Sequence, residues 1–310
     1  MRYIVVGAGG IGGALGAHLK AGGKDVALIA RGEHLAAIRQ KGLTLKRPDK
    51  EDLCLRDIEA HDAPEDFAPA DAVFVCVKGY SLAEAMPVIC RAARPGAVVI
   101  PLLNTLTAGQ KLSAALPGRA ALDGCIYTSA FIAAPGIISQ PSPLFRIIFG
   151  ARLEQKADAA LLKKVEAGLE SCGIRAVLSP CIERDAFRKF AFISAFAAAD
   201  SYLDISAAAL QRQGPPRELF LALLREITAL GAALKLDFGS DLFADTLAFT
   251  DKLDMDITSS MHKDVAAGRP SEKQELIFDV VEMAAKLRVA VPNYIKIARH
   301  FGMQDNMNEM

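Results

Sequence analysis

The sequence predicts an α/β fold, a doubly wound parallel sheet domain followed by an all-helical second domain. Three observations carry this expectation. The first half alternates short β-branched runs with helical patterns, which argues for parallel βαβ units. From about residue 182 the pattern changes to long helical stretches, and strand signals nearly vanish. The 310 residues exceed one average core and suit two. In chain order, residues 3–6 read as a strand, 12–21 as a helix, 26–29 as a second strand and 34–41 as a helix. Later strands fall at 72–77 and 97–103, with a helix over 81–93 between them. The stretch APGIISQPSP at 134–143 is rich in Pro, Gly and Ser and lies between apolar runs, which predicts a hairpin or sheet extension. Helical patterns then cover 216–236, 241–253 and 272–287. The boundary is expected near 178–180, giving domains 1–179 and 180–310.

Composition narrows the function classes. Hydrophobic residues make up 52%, enough for sizeable cores. Lys plus Arg and Asp plus Glu number 36 each, so no general electrostatic pull toward nucleic acid or an anionic membrane is expected. The six cysteines (54, 76, 90, 125, 172 and 181) are scattered without a C-x-x-C pair, which reads as free thiols in a reducing compartment. The histidines show no metal-ligand spacing, and no metal is expected. No stretch approaches the roughly 18 apolar residues of a spanning helix, and the first apolar run is too short for a signal peptide. A cytoplasmic protein is expected. Oligomeric state is not readable, and a homodimer stays open.

The chemistry begins at Gly7-x-Gly9-x-x-Gly12. A strand precedes it, a helix follows it, and a second strand closes the unit about 20 residues later, the context of a Rossmann-type dinucleotide fingerprint. The glycines permit a tight turn and close approach of a pyrophosphate to the helix N-terminus. Where NAD enzymes carry an acid for the ribose hydroxyls, this chain has Ala30-Arg31-Gly32. A guanidinium there suits a 2′-phosphate and points to NADP. A solvated surface arginine is the other reading. Lys78 and Asn104 follow the later strands and are expected at the nicotinamide end, because ligands bind outside the carboxyl ends of such strands.

These residues, with VCVKGYS around Lys78, FRKF at 187–190 and SSMHKDVAAGRPSE at 259–272, make the chain resemble the ketopantoate reductase (2-dehydropantoate 2-reductase) family over essentially its whole length. The resemblance implies a Rossmann domain, a helical domain, a substrate cleft between them, and reduction of a 2-oxo acid by NADPH. In pantothenate biosynthesis that reaction takes 2-dehydropantoate to pantoate. It also implies that Lys189 is the general acid, that Glu272 is a carboxylate partner for the lysine and substrate, and that Ser260 contacts the substrate carboxylate. Asn104 would face both cofactor and substrate. Read without the resemblance, Lys189 is one of three basic residues, with Arg184 and Arg188, on a solvated helix face. Ser271-Glu272-Lys273-Gln274 has the form of a capping box, with Ser271 at the N-cap and Glu272 at the first helical position. Asp264 follows Ser260 at i+4, on the same helix face.

The chain departs from the family pattern at four places. Two family asparagines, four and eight residues after the lysine, are Ile193 and Ala197 here. The family's Asn-Gly is Asn104-Thr105, and a glycine of its last long helix is Phe278. Lost amides put ketopantoate in question more than NADPH or hydride transfer. Ser194, Asp200 and Ser201 are the polar residues near enough to fill the gap. A different oxo acid, imine or 3-hydroxy acid chemistry, and a non-catalytic NADP-binding protein are the alternatives. Lys189 speaks against simple imine reduction.

Overall fold

The computed structural model describes residues 1–48, 50–153 and 155–304. The chain divides into two compact units. The first comprises Met1–Leu103 and Thr107–Asp185, the second Asn104–Leu106 and Ala186–Met310. The chain thus passes between units six residues beyond the 179/180 expected from sequence, and a three-residue segment after residue 103 belongs with the helical unit.

The first unit is built on β1 (Arg2–Val6), α1 (Gly10–Ala21), β2 (Asp25–Ile29) and α2 (Gly32–Lys41). Next come β3 (Leu43–Lys46), β4 (Leu53–Leu55), β5 (Glu59–His61), β6 (Ala70–Val75), α3 (Leu82–Ala92) and β7 (Ala93–Pro101). It closes with α4 (Ala108–Ala115), β8 (Ala120–Ala121), β9 (Asp123–Tyr127), β10 (Phe131–Ala134), β11 (Ile137–Ser139), β12 (Arg146–Gly150), α5 (Ala159–Glu170) and β13 (Arg175–Leu178). Six strands form a parallel sheet in the order β5-β2-β1-β6-β7-β8. The order reverses on either side of β1, as a doubly wound sheet requires.

Side-chain alternation on β1 explains the two-sided burial. Tyr3 and Val5 enter one core with residues of α1 and α5, while Ile4 and Val6 enter another with residues of α3 and α4. A parallel sheet covered on both faces needs such a continuous apolar run. Helix α1 lies close on the sheet because Gly16 has no side chain; a Cβ there would stand 2.3 Å from Leu28 Cδ2. Burial pushes the Tyr3 phenol up to about 12.

Where the sequence predicts a hairpin or sheet extension at 134–143, a hairpin of β10 and β11 lies at 131–139, joined in a second sheet of order β10-β11-β3-β4. That sheet and a third, β13-β12-β9, are additions the sequence pattern does not announce. Strand boundaries also move: β6 ends at Val75 and β7 at Pro101, so Lys78 and Asn104 sit three residues beyond their strands.

The second unit contains most of α6 (Ile182–Leu203), then α7 (Ala207–Gln211), α8 (Pro215–Ala233), α9 (Leu242–Thr250) and α10 (Ser260–Ala266). A π-helical turn, Gln274–Phe278, runs directly into α11 (Asp279–Leu287), and α12 (Pro292–His300) follows. In the π-turn Asp279 N–H donates to Gln274 O, an i+5 spacing. Ser194 Oγ, wholly buried on α6, donates to the Leu276 carbonyl of this turn at 2.7 Å and shares a hydrogen bond with Tyr294 Oη at 2.8 Å.

Helix α12 has no side-chain cap of its own. The buried Glu226 of α8 supplies it. Glu226 Oε1 accepts from Asn293 N at 2.9 Å and Asn293 Nδ2 at 2.6 Å, and Oε2 accepts from Tyr294 N at 3.0 Å. Removing the carboxylate would leave these donors buried without it, at about 1–3 kcal/mol for each unsatisfied group. Glu226→Ala is therefore expected to lower stability by about 2–4 kcal/mol, read as a lower urea midpoint. Glu226→Gln keeps an acceptor and should lose less. An unchanged midpoint for Glu226→Ala would show that α12 needs no such cap.

Candidate active site

The fingerprint turn leaves β1 and reverses sharply. Gly7 has φ +95°, and a Cβ there would meet Val77 N at 2.9 Å. Gly12, in the first turn of α1, approaches so closely that its Cβ would stand 2.1 Å from Gly7 O. Gly9 differs, since a Cβ there would meet nothing within 4 Å. Glycine at 7 and 12 is demanded by the protein itself, whereas glycine at 9 keeps open the approach to the N-terminus of α1. That terminus carries no side-chain cap and can present backbone N–H groups to an anion. The residues present fit a pyrophosphate.

Arg31 stands two residues beyond β2, as the exposed N-cap residue of α2. Its Nη1 pairs with Glu84 Oε1 at 2.6 Å. Lys78 caps a short 3₁₀ turn, Gly79–Ser81, and its carbonyl accepts from Ser81 N at 2.9 Å. Gly7, Gly9, Gly12, Arg31 and Lys78 all belong to the first unit.

The helical unit gathers the remaining polar residues. Lys189 is 8% exposed and Glu272 3%. Lys189 Nζ donates to Asn104 Oδ1, and Asn104 Nδ2 donates to Glu272 Oε2 at 3.4 Å. The amide presents its oxygen to the cation and its nitrogen to the carboxylate, so both buried charges meet a dipole end of opposite sign. Lys189 is thus not part of a solvated basic face. Its neighbours Arg184 and Arg188 behave as such residues do, pairing with Asp185 and Asp245.

The capping box expected at Ser271 is not formed. The π-turn begins at Gln274, its N-cap residue is Lys273, and no side chain caps it. Glu272 lies before this turn rather than at a first helical position, and Gln274 donates to Asp279 and Glu282 instead of reaching back.

Ser260 is the exposed first residue of α10, and Asp264 of the same helix pairs with Arg269 at 2.8 Å. The cap belongs to its neighbour: Ser259 Oγ accepts from His262 N at 3.0 Å. Behind Ser259 lies Asp200, which is wholly buried and singled out in the sequence only as a polar neighbour of Ile193 and Ala197. Asp200 Oδ2 accepts from Ser259 N at 2.6 Å, and Oδ1 accepts from Ser259 Oγ at 2.9 Å and Ser201 Oγ at 3.2 Å. The residues named as substitutes for the missing amides are therefore engaged elsewhere, Ser194 at the π-turn and Asp200 with Ser201 at Ser259. Ala197 is wholly buried and Ile193 half-buried, both in the apolar core of the unit. Among the described residues no cluster of three or more His, Cys, Asp or Glu could hold a metal ion, and no helix is long and apolar enough to cross a membrane.

Residues 3–154 match the family model described as ketopantoate reductase PanE/ApbA, and residues 181–303 match its C-terminal model. The chain belongs to the ketopantoate reductase family. This is a family of oxidoreductases. A 2-dehydropantoate 2-reductase of Halobacterium salinarum is 27% identical over 293 residues, covering 94% of this chain and 95% of that protein. The crystal structure of 2-dehydropantoate 2-reductase from Porphyromonas gingivalis superimposes with a TM-score of 0.83 at 27% identity, covering 98% of this chain and 99% of that one. D-mandelate dehydrogenase with NADH and anilino(oxo)acetate reaches 0.85 at 19% identity, with 96% of each chain covered, a likeness of fold.

Burial pushes the Asp200 carboxyl up to about 6, although its bonds from Ser259 pull the other way. Because the folded value lies above the ordinary carboxylate value of about 3.9, the native state holds this proton more tightly than the unfolded chain. Its contribution to stability is fullest below about pH 4 and is lost as pH rises to about 6. The stability of the parent relative to Asp200→Asn should therefore fall by about 2 kcal/mol between those pH values. Urea unfolding of both proteins across that range checks it, and a flat difference would contradict it.

Proposed function

We propose that the chain is an NADPH-dependent reductase of a 2-oxo acid. The observation that carries this reading is the buried sequence Lys189–Asn104–Glu272, in which an amide holds an ammonium group in place against a carboxylate. A bound dihydronicotinamide would supply hydride to the carbonyl carbon. Lys189 then gives its proton to the carbonyl oxygen as negative charge develops there, so that a 2-oxo acid becomes a 2-hydroxy acid. A cation aimed at that oxygen stabilises the transition state more than the ground state. Asn104 fixes where the ammonium points, and Glu272 offsets its buried charge. NADPH is favoured over NADH by Arg31, whose guanidinium suits a 2′-phosphate.

Lys189→Ala should lower turnover of the best 2-oxo acid by roughly 10²-fold or more, with NADPH affinity unchanged, since general acid catalysis contributes about 10²–10⁴-fold. Stopped-flow NADPH oxidation and a separate binding titration measure the two effects. Undiminished turnover would remove Lys189 from the chemistry.

Substrate choice follows from Ile193 and Ala197. Ile193, half-buried four residues after Lys189, is apolar where the family has an amide, Ala197 is wholly buried, and the nearby polar residues are already engaged. A substrate hydroxyl brought there would lose water without gaining a partner, at about 1–3 kcal/mol, or about 10- to 100-fold in kcat/KM. Ketopantoate should accordingly be turned over less well than its hydroxyl-free analogue, 2-oxo-3,3-dimethylbutanoate. Ile193→Asn should move the ratio toward ketopantoate. A parent protein preferring ketopantoate by about tenfold would establish it as an ordinary ketopantoate reductase.

A further inference from the structure

The acid absent from the end of β2 is present in space. Glu84, in the first turn of α3, places Oε1 2.6 Å from Arg31 Nη1. Strands β2 and β6 lie on opposite sides of β1. Arg31 follows β2, and Glu84 lies on the helix after β6. Their ion pair therefore joins the two loops that flank the glycine turn, above the carboxyl end of β1. In a doubly wound sheet this crevice receives the adenosine half of a dinucleotide, with its ribose beside the residue that follows the second strand.

We propose that Glu84 is a cofactor-specificity residue, whose carboxylate competes with the 2′-phosphate of an adenine dinucleotide for Arg31. The inference rests on the dinucleotide reading given above. Both side chains are largely exposed, at 58% and 68%, so the pair is weakly held and its guanidinium can change partners. A 2′-phosphate must draw Arg31 away from Glu84 and also accept the nearness of a like charge. A 2′-hydroxyl meets neither demand, and a carboxylate can accept its hydrogen bond. Glu84 thus weakens NADPH selectively and narrows a preference that Arg31 alone would make wide. Glutamine at 84 keeps the size and removes the charge.

The test titrates NADPH and NADH into the parent protein, Glu84→Gln, Arg31→Ala and the double variant, following dihydronicotinamide fluorescence at low salt and at about 0.5 M salt. Glu84→Gln should tighten NADPH by about three- to tenfold and change NADH by less than about twofold, with the NADPH gain shrinking at high salt. In the Arg31→Ala background the part of the gain that comes from competition for Arg31 should vanish, so what remains of it should be the like-charge repulsion alone and should disappear at about 0.5 M salt. Unchanged or weaker NADPH binding by Glu84→Gln, in a parent that binds NADPH, would overturn the competition and make Glu84 a support for Arg31. A parent that binds neither dinucleotide would overturn the cofactor reading itself, a result distinct from the first.

Discussion

A lysine and a glutamate are buried in the helical unit, and one amide is a partner to both. An isolated charge taken out of water costs several kcal/mol even after the protein relaxes around it. Asn104 lies between Lys189 and Glu272 with its carbonyl toward one and its amino group toward the other. Aspartate in that place would meet Glu272 with a second negative charge, and leucine would meet both with none of the bonds.

Ordinary packing surrounds it. Next to Lys189 on α6 the side chains turn apolar, and Ser194 spends its hydroxyl on the π-turn. A π-turn displaces the hydrogen-bond ladder by one residue, and such turns concentrate near functional sites. Here the displacement comes directly after Glu272. Ser194, Leu276 and Tyr294 form a buried polar contact among three helical segments, and burial pushes the Tyr294 phenol up. Polar satisfaction and chemistry thus share one short stretch of chain.

Much of this was legible in the residues. The β1–turn–α1 unit announces itself because alternation of period two gives way to a helical pattern across three glycines. The lysine and its carboxylate are legible through the resemblance of FRKF and the SSM segment. Other features leave little trace. Strands β3 and β4 have four and three residues, too few for alternation to register. The π-turn runs into α11 with no Gly or Pro between them, so residues 272–287 read as one uninterrupted helix. Asp200 could have been suspected, as a lone acid closing an alanine-rich run, but its partner Ser259 lies 59 positions away. The Arg31–Glu84 pair depends on strand order, which no local pattern contains.

The segment Asn104–Leu106 has a consequence for how the protein can be assembled. It leaves β7 of the sheet unit yet counts as part of the helical unit, with Leu106 packed against that unit's apolar core. The two units are therefore compact without being separable at a single cut. A fragment beginning near Ala186 would hold the helices but lack the amide that Lys189 and Glu272 share. In the intact chain, the helical unit can complete its polar interior only after closing a loop of some 80 residues back to Asn104. The entropy of that closure grows only slowly with length, but it must be met before the distant contact can form. The chemistry is thus tied to the whole chain, since neither Asn104–Leu106 nor the stretch from Ala186 alone carries Lys189, Glu272 and Asn104 together.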